Sequence, residues 1–325
     1  MNITWATVVE CERLYGDVWT LWLHAPEVAR GAVPGQFLMF RCHDDGPAVT
    51  EDGVAATFSA RGRPAPGGRS PPTSPHEGHG ELPPEAGPPA AEKLASTPLG
   101  HTGAGYGPPM LPRPVSYHRL RPAPGGGHDF AILFEAIGRG TQWLSRRQPG
   151  DRIFAYGPLG RGYAVRREAG NLLLVAGGIG VAPLVWLADE QVAHGRHVTL
   201  IQGARSADAL FPAHLLPPEV EVIAVTEDGS AGRRGLVTDL VPEYLSWADQ
   251  LFVCGPNAMS RALAEVVRRS EGEGARRRRK PVQVLLEEVM PCGTGICYGC
   301  GITTRKGVKL VCKDGPRFEL RDVFW

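Results

Sequence analysis

The chain carries almost no net charge: 35 Lys and Arg residues face 34 Asp and Glu, leaving a formal +1 over 325 residues. Such a balance creates no field that would gather nucleic acid or an anionic membrane surface, so neither is expected as a partner. The chain also lacks an unbroken apolar run of membrane-crossing length. The longest candidate, Leu172 to Ala188, contains Gly177, Gly178, Gly180 and Pro183. It reads as a buried strand, a turn and a helix. The first ten residues, Met1 to Glu10, have neither the basic end nor the apolar core of a secretion signal. Without such a signal, a chain this long is not expected to use its 7 cysteines as a disulfide framework, and a reducing cytoplasm is the expected location.

What the cysteines do instead is written in their spacing. Cys292-Gly-Thr-Gly-Ile-Cys297-Tyr-Gly-Cys300 is followed, after eleven residues, by Cys312. C-x4-C-x2-C with a distant fourth cysteine is the plant-type arrangement for a [2Fe–2S] cluster. Glycines at 293, 295, 299 and 301 suit a loop that must turn tightly and aim backbone N–H groups at sulfur. A structural Zn²⁺ site is the alternative for four cysteines, but such sites usually pair their ligands in two separate C-x2-C knuckles. Here three cysteines crowd one loop. Cys11, Cys42 and Cys254 remain, with no evident pairing.

Along the chain, residues 2–43 alternate as strands do, in Thr4 to Val9, Val18 to Leu23 and Gln36 to Arg41, and predict the start of an antiparallel barrel. Residues 44–109 are rich in Gly, Pro, Ser, Ala, His and Glu and poor in bulky apolar residues, which predicts a disordered insertion. His76, His79 and His101 lie in it without strict ligand spacing and read as part of a solvated linker. The barrel resumes with Arg113-Pro-Val-Ser116, a strand from Asp129 to Ile137, and a glycine turn at Gly138-Arg-Gly-Thr141 that opens a helix. Free N–H groups at such a start suit a phosphate. A near-continuous apolar strand from Asn171 then leads through Gly177-Gly-Ile-Gly-Val-Ala-Pro183 into a helix. Further strands from His197, Val220 and Gln250 make a doubly wound parallel sheet. By itself the glycine turn is a weak nucleotide signal. The basic stretch from Glu271 to Pro281 reads as a solvated linker to the cluster segment.

The order of these parts resembles the ferredoxin–NADP⁺ reductase superfamily, and within it the electron-transfer subunits of type B dihydroorotate dehydrogenases. The likeness covers nearly everything outside 44–109, and Leu286-Glu-Glu-Val-Met-Pro-Cys-Gly-Thr-Gly-Ile-Cys-Tyr-Gly-Cys300 is its most specific portion. The resemblance implies an FAD-binding β-barrel domain over 1–165, an NAD-binding α/β domain over 166–272, a linker over 273–282 and a [2Fe–2S] domain over 283–325. It implies that Arg113, Pro114, Val115 and Ser116 lie along FAD, with Leu133, Phe134 and Glu135 on the next strand and Gly140 and Thr141 at the phosphates. Physical sense agrees: a guanidinium pairs with pyrophosphate, and a hydroxyl can hydrogen-bond a flavin ring. It implies NAD(H) on Gly178, Gly180 and Pro183, with Cys254, Gly255 and Pro256 near the nicotinamide. For Cys254 a small buried apolar role is equally open. Arg205 and Ser206 stand where a 2′-phosphate could be read, while the resemblance favours NADH. Cys292, Cys297, Cys300 and Cys312 would hold the cluster.

The implied function is electron transfer from an FMN-containing dihydroorotate-oxidising subunit through [2Fe–2S] and FAD to NAD⁺, in pyrimidine synthesis, within a heterotetramer of two of each chain. The rival readings are the same chemistry serving a hydrogenase, a ferredoxin-linked transhydrogenase or an oxygenase, and a zinc-stabilised binding module with no redox role. The sequence departs from the family pattern in the 44–109 insertion and at Val289, where a basic residue is usual.

Overall fold

The computed structural model describes residues 1–42, 111–271 and 279–325. The expected insertion, with its three histidines, and most of the expected linker lie outside the described residues. All described residues belong to one packed unit.

Among them, six strands close into an antiparallel barrel in the order β1-β2-β5-β4-β3-β6. These are β1 (Asn2–Tyr15), β2 (Val18–His24), β3 (Phe37–Phe40), β4 (Arg113–Pro122), β5 (His128–Glu135) and β6 (Arg152–Leu159), with the short α1 (Pro26–Ala29) and α2 (Arg139–Leu144) between strands. Their alternation drives closure. Ala6, Val8, Leu21, Leu23, Leu38, Phe40, Phe130, Ile132, Ile153 and Ala155 point inward and form one core. β4 changes partner midway. Arg113–Ser116 pair with β3, and from Tyr117 onward the strand pairs with β5 through a register shift. That splay turns the Arg113–Ser116 end toward the second layer.

The second layer is a sheet in the order β10-β9-β8-β7-β11-β12-β15. It comprises β7 (Asn171–Gly177), β8 (His197–Ala204), β9 (Glu221–Thr226), β10 (Arg233–Arg234), β11 (Gln250–Cys254), β12 (Val282–Leu285) and β15 (Arg317–Glu319). The strands from β10 to β12 run parallel, and β15 is antiparallel at the edge. Leu172–Ala176 and Leu251–Cys254 are buried on both faces, which is why these strands read as continuous apolar runs. Helices α3 (Val181–Ala193), α4 (Val237–Tyr244) and α5 (Asn257–Glu271) cover the sheet. The apolar stretch from Leu172 is thus a strand, a single 3₁₀ turn at Gly178–Gly180 and α3, and among the described residues no helix is long and apolar enough to cross a membrane.

The boundary expected at 283 falls inside β12. Val282–Leu285 pair with Leu251–Cys254, and Arg317–Glu319 return after the cysteine loop to pair with β12. The loop, the hairpin β13 (Gly301–Thr304) and β14 (Gly307–Leu310), and the short α6 (Val311–Asp314) are therefore an excursion between two strands of the nucleotide-type sheet.

Candidate functional site

A cleft of about 330 Å³ opens between the barrel and the sheet. The barrel contributes Arg113–Ser116 from β4, Leu133–Glu135 from β5 and Thr141 from α2. The sheet layer contributes Gly180 and Pro183 at the start of α3, and Cys254 at the end of β11. Residues separated by more than a hundred positions meet here because the splayed end of β4 faces the carboxyl ends of β7 and β11, where open parallel sheets bind ligands.

Four expected site residues do not line the cleft but stand beside it. Gly140 lies against the Arg113 side chain, so a Cβ there would sit 3.0 Å from Nε. Gly178, at φ +53°, is exposed with no atom within 4 Å of such a Cβ, leaving space for a ligand to approach the backbone. Gly255 packs on Met259 and Gly177. Pro256 precedes α5, and its carbonyl accepts the Ser260 N–H. Thr141 turns its hydroxyl onto its own helix start, accepting the Gly138 N–H at 3.0 Å and donating to the Gly138 carbonyl at 3.1 Å. This rigidifies a turn whose next N–H groups have no intrahelical partner.

The cleft also holds Phe37, Ile137, Leu285 and Pro316, which no motif named, and residues that motifs contained without assigning them a site role: Ile179 and Ala182 of the glycine turn, and Leu286, Glu287, Glu288 and Met290 of the stretch before Cys292. The available signal was the acid pair Glu287-Glu288, separated from β12 by one residue, inside the stretch that carries the family likeness. Glu287 opens to solvent through the cleft mouth while the concave wall crowds its carboxylate. That partial desolvation raises its pKa, and the charge of Glu135 opposite raises it further. Cys254 is 5% exposed, and burial, then the Glu287 charge, holds its thiol well above the ordinary range. It faces the cleft as a neutral thiol.

The four cysteines of the C-terminal loop gather in two pairs. Cys297 approaches Cys292 with both its backbone N–H and its side chain, and Cys312 donates its N–H to Cys300 Sγ at 3.4 Å. Thr294 N–H reaches Cys292 Sγ at 3.5 Å, and Gly299 N–H reaches Cys297 Sγ at 3.4 Å. Gly293 (φ +65°), Gly295 (φ +84°) and Tyr298 (φ +59°) supply the left-handed turns that aim these donors. Burial pushes the Cys292 thiol up, but the hydrogen bonds from Cys297 and Thr294 outweigh it and bring it down to about 6. Burial, and then Cys300, push Cys312 the other way. Among the described residues no three His, Cys, Asp or Glu side chains gather as a set for a metal ion. The two-by-two arrangement, with a backbone N–H on each of the four sulfurs, Gly295 supplying that of Cys312, fits a two-iron cluster in which each iron takes two thiolates. Cys297 is exposed, flanked by Ile296 at 80% and Tyr298 at 71% exposure, whereas Cys300 and Cys312 are buried.

The loop joins the cleft directly. Met290 lines the cleft wall, and Cys292 follows two residues later. Tyr156 on β6 donates its hydroxyl to the Cys292 carbonyl at 3.0 Å.

Comparison with known proteins places this arrangement. Residues 287–324 match the iron-sulfur cluster binding domain of dihydroorotate dehydrogenase B. The fold resembles that of an NADH-dependent reduced ferredoxin–NADP oxidoreductase with a TM-score of 0.68 at 24% identity, over 99% of this chain and 90% of that one. The dihydroorotate dehydrogenase B (NAD(+)) electron transfer subunit of Desulforamulus reducens is 34% identical over 224 residues, 67% of this chain and 81% of the relative. That of Bacillus cereus strain Q1 is 37% identical over 222 residues, 66% and 81%. At this identity, over 81% of each relative's length, the chain belongs to the family of dihydroorotate dehydrogenase B electron transfer subunits.

Proposed function

We propose that the chain carries electrons from a dihydroorotate-oxidising, FMN-containing partner through a [2Fe–2S] cluster and FAD to NAD⁺, in the cytoplasm, as a step of pyrimidine synthesis. The observation that supports this most is the continuity of cleft and cysteine loop: one wall residue, Met290, stands two positions from the first cluster ligand.

FAD, when bound, exchanges hydride with a nicotinamide on one side and single electrons with a cluster on the other. The chain's own residues organise that meeting. Arg113, backed by the flush backbone of Gly140, offers a guanidinium for a pyrophosphate. Ser116, Leu133, Phe134 and Glu135 form the ring-facing wall. Gly178 leaves open backbone before α3 for a second nucleotide's phosphates, Gly180 lets the turn close on the end of β11, and Pro183 lines the cleft behind them. Cys254 and Glu287 close the side where the nicotinamide would lie. Cys292, Cys297, Cys300 and Cys312 hold the cluster. The exposed Ile296-Cys297-Tyr298 segment offers an apolar surface for the partner subunit, in a heterotetramer of two of each chain.

The test is the assembly purified anaerobically from its own host, given dihydroorotate and NAD⁺ and followed at the NADH absorbance band. NADH is expected to form. Flavin and iron that remain reducible by NADH, with no NADH formed from dihydroorotate, would refute the partner and retain the reductase. In the same assembly Cys297→Ala is expected to stop dihydroorotate-driven NADH formation, while added NADH still bleaches the flavin.

A further inference from the structure

We infer that Tyr156 is a positioning residue for electron exchange between the cleft and the cysteine loop, acting through the carbonyl of Cys292. This rests on the reading above, in which the loop holds a [2Fe–2S] cluster and the cleft holds FAD.

Tyr156 is fixed before it reaches the loop. It lies within β6, paired with Ile3 of β1 on one side and Met39 of β3 on the other, so the closed barrel sets its Cα. Its half-buried ring tilts against Phe154 at 6.4 Å and packs on the core beneath the sheet. The hydroxyl then donates to Cys292 O at 3.0 Å.

The next residue is held by a second, independent contact. Gly293, at φ +65°, lies flush on Met39 and Leu159: a Cβ there would meet Met39 Cγ at 2.6 Å and Leu159 Cδ1 at 3.2 Å. The loop is thus attached to the barrel at two consecutive residues, one contact polar and one steric.

The position of this attachment gives it consequence. Cys292 is the cluster cysteine joined by only two peptide bonds to the cleft-lining Met290. Cys297 faces solvent, and Cys300 and Cys312 are buried on the side of β13, β14 and α6. Cys292 is accordingly the ligand through which cleft and cluster are covalently closest. A hydroxyl on its carbonyl does no redox chemistry itself. It fixes the ligand's backbone, and hence the separation of the two centres, as outer-shell partners of metal ligands do.

The test is Tyr156→Phe, which keeps the ring and removes only the donor, in the anaerobically purified assembly. Iron release to a chelator is expected to quicken about tenfold, at the low end of the effect of losing an outer-shell hydrogen bond. Reduction of the cluster after rapid mixing with NADH should slow by about tenfold, while the preceding flavin reduction keeps its wild-type rate. Wild-type rates of both iron release and cluster reduction would overturn the inference. So would flavin loss or slowed flavin reduction, since either would mark a general structural role. Wild-type protein without flavin or cluster signals would instead sink the underlying reading, which keeps the two failures apart.

Discussion

Gly180 shows at the scale of one residue how the cleft depends on a missing side chain. A Cβ there would overlap the carbonyl of Cys254, joining the turn after β7 to the end of β11 backbone to backbone. Gly180→Ala is expected to destabilise the protein by about 2 kcal/mol through overpacking and to raise the KM for NADH. A melting curve and a titration of flavin reduction check both. His118 makes a pH-dependent contribution. It is fully enclosed between β4 and α3, its Nδ1 2.9 Å from the Ala182 carbonyl and its ring 5.7 Å from that of Phe211. Burial lowers its pKa to about 4, the Ala182 carbonyl works the other way, and the Arg119 charge adds to the lowering. The folded state therefore holds a neutral imidazole where the unfolded chain takes a proton near pH 6.5. Stability from this residue is complete above about pH 6.5 and falls as the pH drops toward 4. The loss between pH 7.5 and pH 5 should be about 2 kcal/mol, read as a falling urea midpoint that is flattened in His118→Gln.

At the scale of elements, β4 both lines the cleft and fastens the barrel to the sheet layer. Arg119 forms a two-pronged pair with Asp189 of α3, at 2.6 and 3.2 Å, and donates to the Leu215 carbonyl at 2.6 Å. The pair is about three-quarters buried at its arginine, so it is screened less than a surface pair. Asp189→Asn is expected to cost about 1.5–3 kcal/mol and to weaken the cleft's two-sided closure. Differential scanning calorimetry, with separate transitions for barrel and sheet as the diagnostic, checks it. The barrel strands and the β7–α3 unit were legible because alternation and the apolar run to Ala176 are local patterns. The short edge strands were not. Val282–Leu285 is four residues long, and its neighbours are Leu251–Cys254, before α5, and Arg317–Glu319, beyond the cysteine loop. No periodicity within four residues reports pairing across such intervals.

At the scale of the whole molecule, the chemistry depends on three distant stretches meeting. Glu135 comes from the barrel, Cys254 from the middle of the sheet and Glu287 from the segment after β12, yet they shape one cleft, where the Glu135 charge raises the Glu287 pKa and the Glu287 charge raises that of Cys254. The sequence by itself determined the cysteine spacing, the glycine turns at 138–141 and 177–183, and the alternation of strands and helices. Each of these is set by backbone sterics and side-chain periodicity over a few residues. Only the tertiary structure decided that the cysteine loop is an excursion from the sheet, that Glu287 faces Glu135, and that Tyr156 holds Cys292. Those contacts follow from which faces pack against which, and packing is settled by the chain as a whole, between residues whose separation leaves no mark in local pattern.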